Sequence, residues 1–273
     1  MSGYPTLSGR TLVVPILGYP IAQVRSPDGL TRIFADRGRD AVVVPLQVVP
    51  DDFDALVRGV SRSPSVAGLI ATVPHKFALA GHCDTLTDRA RFLGSANVAR
   101  RGAHGAWHGD QLDGAAFVAA VRASGGVTEG ATVLQVGAGG AGSAIALALL
   151  EAGVERLALH DVDAGRRDQL CARLAERFGD RVAHGSPDPR GYDLVVNATP
   201  TGMRGDDPFP VDVARLGPGT FVGDVITSPA VPALIQAARR LGCGTSTGGA
   251  MFDRVAGLLA DFLLADGPLS DRA

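Results

Sequence analysis

The sequence predicts an α/β protein of two domains, each built on a mostly parallel sheet covered by helices. Three observations predict it. Short β-rich runs alternate with helical stretches from Thr11 to Thr72, the same alternation restarts after Asp113, and a glycine-rich turn follows a buried-strand pattern at Val133–Gly142. Such alternation marks parallel strands joined by helical crossovers.

With 273 residues, 46% of them apolar and 20% charged, the chain is long enough for two modest cores. A net charge of −2 and the lack of any Lys/Arg run argue against a nucleic-acid partner. The longest apolar runs, such as Ala144–Leu150, are too short to span a bilayer, so no membrane partner is expected. No basic segment leads into an apolar stretch at the N-terminus, and the expected location is cytoplasmic. Cys83, Cys171 and Cys243 are odd in number and far apart, which fits reduced thiols with no disulfide framework. His82-Cys83-Asp84 carries ligand-type side chains, but three consecutive residues rarely converge on one ion, so no metal is expected.

In the first half, Thr11–Leu17, Ala41–Gln47 and Val66–Thr72 read as strands. Helices are expected over Ser26–Arg37, where Pro27 suits a first turn, and over Asp51–Ser61, where Phe53, Leu56, Val57 and Val60 share a face. Between Gly94 and Gly109 the composition shifts to Gly, Ala and Arg, with short strands around Asn97–Arg101 and Ala106–His108. An apolar helix over Ala115–Ala123 follows, so the boundary falls near Asp113 and the domains divide as 1–113, 114–246 and a C-terminal segment 247–273. Strands at Ala131–Val136, Arg156–His160, Asp193–Asn197 and Phe221–Val225 then alternate with helices over Gly142–Ala152, Arg166–Phe178 and Ala230–Leu241.

The strand Val133-Leu134-Gln135-Val136 runs directly into Gly137-Ala138-Gly139-Gly140-Ala141-Gly142. Gly137, Gly139 and Gly142 satisfy the spacing of a dinucleotide-binding turn. The first glycine permits the turn, the second lets backbone approach a pyrophosphate, and the third lets helix and strand pack closely. The free N–H groups and positive dipole end of the next helix would face the phosphates. Asp161, at the end of the following strand, is placed to accept hydrogen bonds from an adenosine ribose, which favours NAD over NADP. Two plainer readings stand beside this: Asp161 could cap the next turn, and Arg166 and Arg167 could either reach a 2′-phosphate or form a solvated face.

Lys76 follows a strand end and Asp113 opens a helix; alone, they read as a surface lysine and an N-cap aspartate. The motifs around them form a series. Pro20-Ile21-Ala22 and Ser26-Pro27 come first, then Thr72-Val73-Pro74-His75-Lys76, Gly94-Ser95-Ala96-Asn97 and Gly109-Asp110-Gln111-Leu112-Asp113-Gly114. The glycine turn, Asn197-Ala198-Thr199-Pro200 and Gly223-Asp224-Val225 complete it. This series resembles the shikimate/quinate dehydrogenase family over nearly the whole chain. The resemblance implies a C-terminal Rossmann domain, with the last helices returning to an N-terminal substrate domain. It also implies reversible hydride transfer between the nicotinamide and a ring hydroxyl or ketone of shikimate, quinate or a related hydroaromatic acid, in a monomer or homodimer. Lys76 and Asp113 become the catalytic pair, a sheltered lysine that accepts or returns the hydroxyl proton and a carboxylate that orients it. Asn97 would bind another hydroxyl, with Ser26, Thr72, Val24, Thr227 and Val255 around the substrate. Asn197, Ala198 and Thr199, with Val225 and Gly248, would line the nicotinamide side. His160-Asp161-Val162 stands where NADP-using members carry Asn-Arg-Thr, which again implies NAD.

The departures from the family pattern gather around the substrate. Val24 replaces a hydroxyl residue that would hold a carboxylate, Ile70 an Asn, Leu112 a Thr, Thr227 a Tyr and Val255 a Gln. Each lost hydrogen bond would weaken binding by about 1–3 kcal/mol unless Gln23, Thr227 or His75 supplies a new donor. The alternatives are the same chemistry on a more apolar hydroxy acid, a nucleotide-binding regulator without turnover, and a folate-linked two-domain dehydrogenase. Gly109–Gly114 disfavours the last.

Overall fold

The computed structural model describes residues 6–270, so the extreme ends of the expected domain ranges, 1–5 and 271–273, lie outside the described residues. The chain forms two compact units. One comprises the residues up to Leu112 together with those from Val255 onward, and the other is Asp113–Arg254.

The first unit contains β1 (Leu12–Gly18), α1 (Ser26–Asp36), β2 (Ala41–Gln47), α2 (Phe53–Ser61), β3 (Gly68–Ala71) and α3 (Lys76–Gly81). After them come β4 (Thr85–Leu86), α4 (Asp88–Leu93), β5 (Val98–Arg101) and β6 (Trp107–Asp110). Its six-stranded sheet has the order β2-β1-β3-β5-β6-β4. β1 pairs in parallel with β2 and β3, while β5 runs antiparallel to both β3 and β6. β1 is buried through its last five residues, as a strand covered on both faces should be. Leu17, Phe53, Val57, Leu69, Leu79 and Trp107 belong to one core cluster.

The second unit contains α5 (Asp113–Ala123), β7 (Thr132–Val136), α6 (Gly140–Glu151), β8 (Arg156–His160), α7 (Ala164–Phe178) and β9 (Val182–His184). β10 (Leu194–Asn197), β11 (Phe221–Asp224), α8 (Ala233–Arg240), β12 (Gly244–Ser246) and α9 (Gly248–Leu264) follow. All its strand pairings are parallel, in the order β12-β11-β10-β7-β8-β9. The strand order reverses between β7 and β10. In an open parallel sheet, the loops leaving such a reversal diverge and leave a crevice where nucleotides bind.

α5 and α6 each begin two residues before the helix expected from the apolar pattern, because a first turn needs no apolar face to be helical. α3 and α4 are six residues each, and β4, β9 and β12 two or three, too short for periodicity to declare them. The return to the first unit is made by one helix, α9. Its last turns pack on that unit's sheet: Phe262 stacks on His108 at 5.7 Å with the Arg100 guanidinium 4.6 Å from its ring, and Leu263 is fully buried. A methyl group placed on Gly68 of β3 would meet Leu263 Cδ2 at 2.4 Å, which marks how closely helix and strand approach. Leu263→Ala is therefore expected to destabilise the protein by about 2–5 kcal/mol, read as a lower urea midpoint. A change below ~1 kcal/mol would show that the helix is not needed to close the first unit.

Candidate active site

In the first unit, the reversed strand decides what meets. Because β5 runs against its neighbours, its start lies beside the ends of β3 and β6. Asn97, just before β5, accepts from the Ala71 N–H (2.9 Å) and donates its own N–H to the Asp110 carbonyl (2.9 Å). Its side-chain Oδ1 accepts from the Leu112 N–H at 3.0 Å, and Asn97 is only 3% exposed. One residue earlier, the Ala96 N–H donates to the Lys76 carbonyl (2.9 Å). Two neighbouring residues thus hold both Lys76 and the peptide that leads into Asp113.

A charged clamp supports this segment. The Asp110 carboxylate, 2% exposed, receives Arg89 Nε (2.7 Å), Arg89 Nη2, the Thr87 hydroxyl and the Gln111 N–H (2.7 Å). Burial alone would raise the Asp110 pKa, but these donors and the Arg89 charge hold it below the usual carboxylate range. The Gln111 amide reaches Ser95 Oγ at 2.9 Å.

Lys76 opens α3 and is 8% exposed; Thr72 lies at the turn before it, where the His75 N–H donates to the Thr72 carbonyl (2.8 Å). Ser26 opens α1 and is buried, while Val24 is half-buried nearby in sequence. His75 is not a spare donor for substrate. Its ring stacks on Phe53 at 4.5 Å and its Nε2 bonds the Val48 carbonyl (2.8 Å), while burial lowers its pKa and keeps it neutral. Gln23 bonds the Pro20 carbonyl (2.8 Å). Ile70, Leu112 and Val255 are buried at 3%, 4% and 8% exposure. Thr227, half-buried, belongs to the second unit.

In the second unit, the loops after β7, β10 and β11 gather at the strand reversal. Gly137 has φ +106°, and a Cβ there would lie 2.7 Å from the Ala198 carbonyl carbon and 2.9 Å from Thr199 Cγ2. Only glycine fits both the angle and the space. A Cβ on Gly142 would meet the Gly137 oxygen at 2.2 Å, so the helix start presses on the turn. A Cβ on Gly139 would meet nothing within 4 Å, leaving open space at the lip of the turn. Gly140, Ala141 and Gly142 form the first turn of α6, whose N–H groups no helical carbonyl can reach. This cradle fits a pyrophosphate.

Asn197, 1% exposed, ties the neighbouring loops together. Its Oδ1 accepts from the Thr199 N–H (3.1 Å) and hydroxyl (2.7 Å), and its Nδ2 donates to the Thr201 carbonyl and to Asp224 Oδ2, both at 3.1 Å. Asp224 Oδ1 accepts from the Ile226 N–H (2.8 Å), and Gly248 sits against the same loop, where a Cβ would meet the Ile226 and Val225 oxygens at 2.2 and 2.5 Å. Burial pushes the Asp224 carboxyl up to about 6, against the pull of these two donors.

Asp161 is 8% exposed. Its Oδ2 accepts from the Ala138 N–H (2.7 Å) and its Oδ1 from the Asp163 N–H (2.9 Å), so backbone donors already engage both oxygens. Arg166 Nη1 lies 3.9 Å from Oδ2. Periodicity alone passes over Gln135, Arg89 and Asp110. The available signals were a lone amide inside the apolar run of β7 and an acid at the end of β6.

Residues 16–99 match the family description "Shikimate dehydrogenase substrate binding domain". A shikimate dehydrogenase (NADP(+)) of Rubrobacter xylanophilus is 36% identical over 89% of this chain and 87% of its own length. One of Acidiphilium cryptum, bearing the same name, is 35% identical over 86% and 84%. The chain belongs to the shikimate dehydrogenase family. It is accordingly an oxidoreductase acting on a CH–OH group. Among solved structures, a shikimate dehydrogenase in complex with NADP+ superposes with a TM-score of 0.87 at 23% identity, covering 97% of this chain and 94% of that one.

These relatives overturn the expected cofactor. NAD was inferred from Asp161, but relatives at 35–36% identity are named for NADP(+). The physical reason lies in the structure: the Asp161 carboxylate is occupied by the turn it stabilises and faced by a guanidinium, so it is a poor ground for rejecting a 2′-phosphate.

Asp224 gives a test of the loop network. A carboxyl whose pKa is higher folded than unfolded favours the folded state at low pH, and that advantage is lost as pH rises through the folded value. Between its ordinary 3.8 and about 6, the loss is on the order of 3 kcal/mol. Asp224→Asn is expected to flatten the fall in unfolding free energy between pH 4 and 7 relative to the parent. Identical pH slopes in the two proteins would rule out this carboxyl as their source.

Proposed function

We propose that this chain interconverts a ring hydroxyl and ketone of shikimate, quinate or a close hydroaromatic acid, with NADP as the dinucleotide. The observation that carries the reading is the convergence in the first unit, where Ala96 holds the Lys76 carbonyl and Asn97 the Leu112 N–H. The family membership supplies the reaction class.

When bound, the dinucleotide takes up or returns the hydride. The chain's own work is to orient substrate and move one proton. During oxidation Lys76 Nζ accepts the hydroxyl proton as the carbonyl forms, and during reduction it returns that proton to the oxygen. A buried position at a helix start limits the rotamers it can adopt and keeps bulk water from competing. Asp113, in the first turn of α5, supplies the carboxylate for a substrate hydroxyl. Asn97, whose Oδ1 accepts from the Leu112 N–H, stands at the position that the family reading gives to binding another substrate hydroxyl. Ser26 and Thr72 supply hydroxyls for the remaining substituents, with Val24 and Val255 as apolar walls.

In the second unit, the N–H groups at the start of α6 hold the pyrophosphate, and Asn197, Ala198, Thr199, Val225 and Gly248 shape the nicotinamide side. The NADP assignment is supported by Arg166 at the start of α7, a cation 3.9 Å from Asp161 Oδ2 that can pair with a 2′-phosphate.

The experiment is a steady-state assay of nicotinamide absorbance with shikimate and quinate. NADP+ is expected to give at least about tenfold higher kcat/KM than NAD+. Lys76→Ala is expected to lower kcat by about 10²–10⁴-fold with a smaller change in KM. Full turnover in that variant would remove Lys76 from the mechanism, and equal use of both dinucleotides would remove the NADP assignment.

A further inference from the structure

Gln135 is fully buried in β7, one residue before that strand ends. Its register partners on either side, Leu159 in β8 and Val196 in β10, are also fully buried and apolar. An amide in such a place is costly unless hydrogen-bonded. Its Nε2 donates to the Gly137 carbonyl and to the Gly142 carbonyl, both at 2.8 Å. Two carbonyl partners fix which end of the amide faces them, since an oxygen there would be repelled by both. Its Oε1 is buried with no hydrogen-bond partner. An apolar residue would fill the same strand position without stranding an acceptor, so the amide has a task that strand packing does not supply.

We propose that Gln135 is a positioning residue for the pyrophosphate. The inference rests on the reading of the glycine turn as the pyrophosphate cradle. Gly137 and Gly142 are the first and last residues of that turn, and a single amide ties their carbonyls together beneath it. Holding both carbonyls on one amide fixes the separation of the turn's two ends, and so constrains the peptides of Gly139, Gly140 and Ala141 between them. The turn is also fastened by the Gly137 N–H to the His160 carbonyl (2.8 Å), the Ala138 N–H to Asp161, the Ser143 N–H to the Gly139 carbonyl (2.7 Å) and the Ser143 hydroxyl to the Gly140 carbonyl (3.1 Å). They hold its flanks and its helix; among the described residues, the Gln135 amide is the side chain seen to join its two ends. A ligand bound to a preformed cradle avoids the cost of ordering it.

The test compares the full chain with Gln135→Leu and the closer-shaped Gln135→Met, using NADP+ and adenosine 2′-monophosphate as calorimetric probes. The second probe lacks the pyrophosphate. NADP+ is expected to bind about tenfold more weakly to both variants, with adenosine 2′-monophosphate unchanged. Unchanged NADP+ affinity, or equal weakening of both probes, would overturn the proposal, as would failure of both variants to fold, because the amide would then serve stability alone. If the parent chain itself does not bind NADP+, the cradle reading falls first and the inference with it.

Discussion

Asn97 is bonded on three sides, to Ala71, Asp110 and Leu112, and those bonds exist because β5 runs against β3 and β6. In an all-parallel sheet a strand's start and its neighbours' ends lie at opposite edges, so the segment after β3, that before β5 and that after β6 could not meet. One reversal brings Lys76, Asn97 and the approach to Asp113 to a single edge. The Arg89–Asp110 pair then stiffens an edge that is otherwise loop. Asp110 is buried and Arg89 partly exposed, so the pair does more to satisfy that carboxylate where it stands than to add stability.

The second unit solves a different problem with related means. Its sheet is wholly parallel, and the reversal lies in strand order between β7 and β10. Loops leave that point from Gly137 and Asn197, and polar side chains buried beneath them fix their shapes: Gln135 under one, Asn197 with Asp224 under the other. The apolar sheet around these groups is what makes their hydrogen bonds strict, since an unmade bond there has no water to replace it.

Much of this was legible from sequence, and the reasons for the rest are specific. The alternation of β runs and helical stretches declared the α/β class, because each long element buries a full face. The glycine spacing declared the turn, since a Cβ at Gly137 or Gly142 has no room. The direction of β5 could not be read, because a four-residue strand carries no mark of its orientation. Asp161 was misleading for a related reason: spacing says where a carboxylate stands, while the Ala138 and Asp163 N–H groups that occupy it are matters of backbone conformation. His75 looked available beside Lys76 and proved to be packed against Phe53, a contact between segments more than twenty residues apart.

The path of α9 has a temporal side. Asp113–Arg254 is one uninterrupted stretch and can assemble as soon as it has been synthesised, whereas the first unit's sheet lacks its Phe262 and Leu263 cover until the last helix is made. On the ribosome, the earlier-made half must therefore wait on the later one, with one face of β3 still unprotected in the interval. Order of synthesis and order of completion run in opposite directions in this molecule.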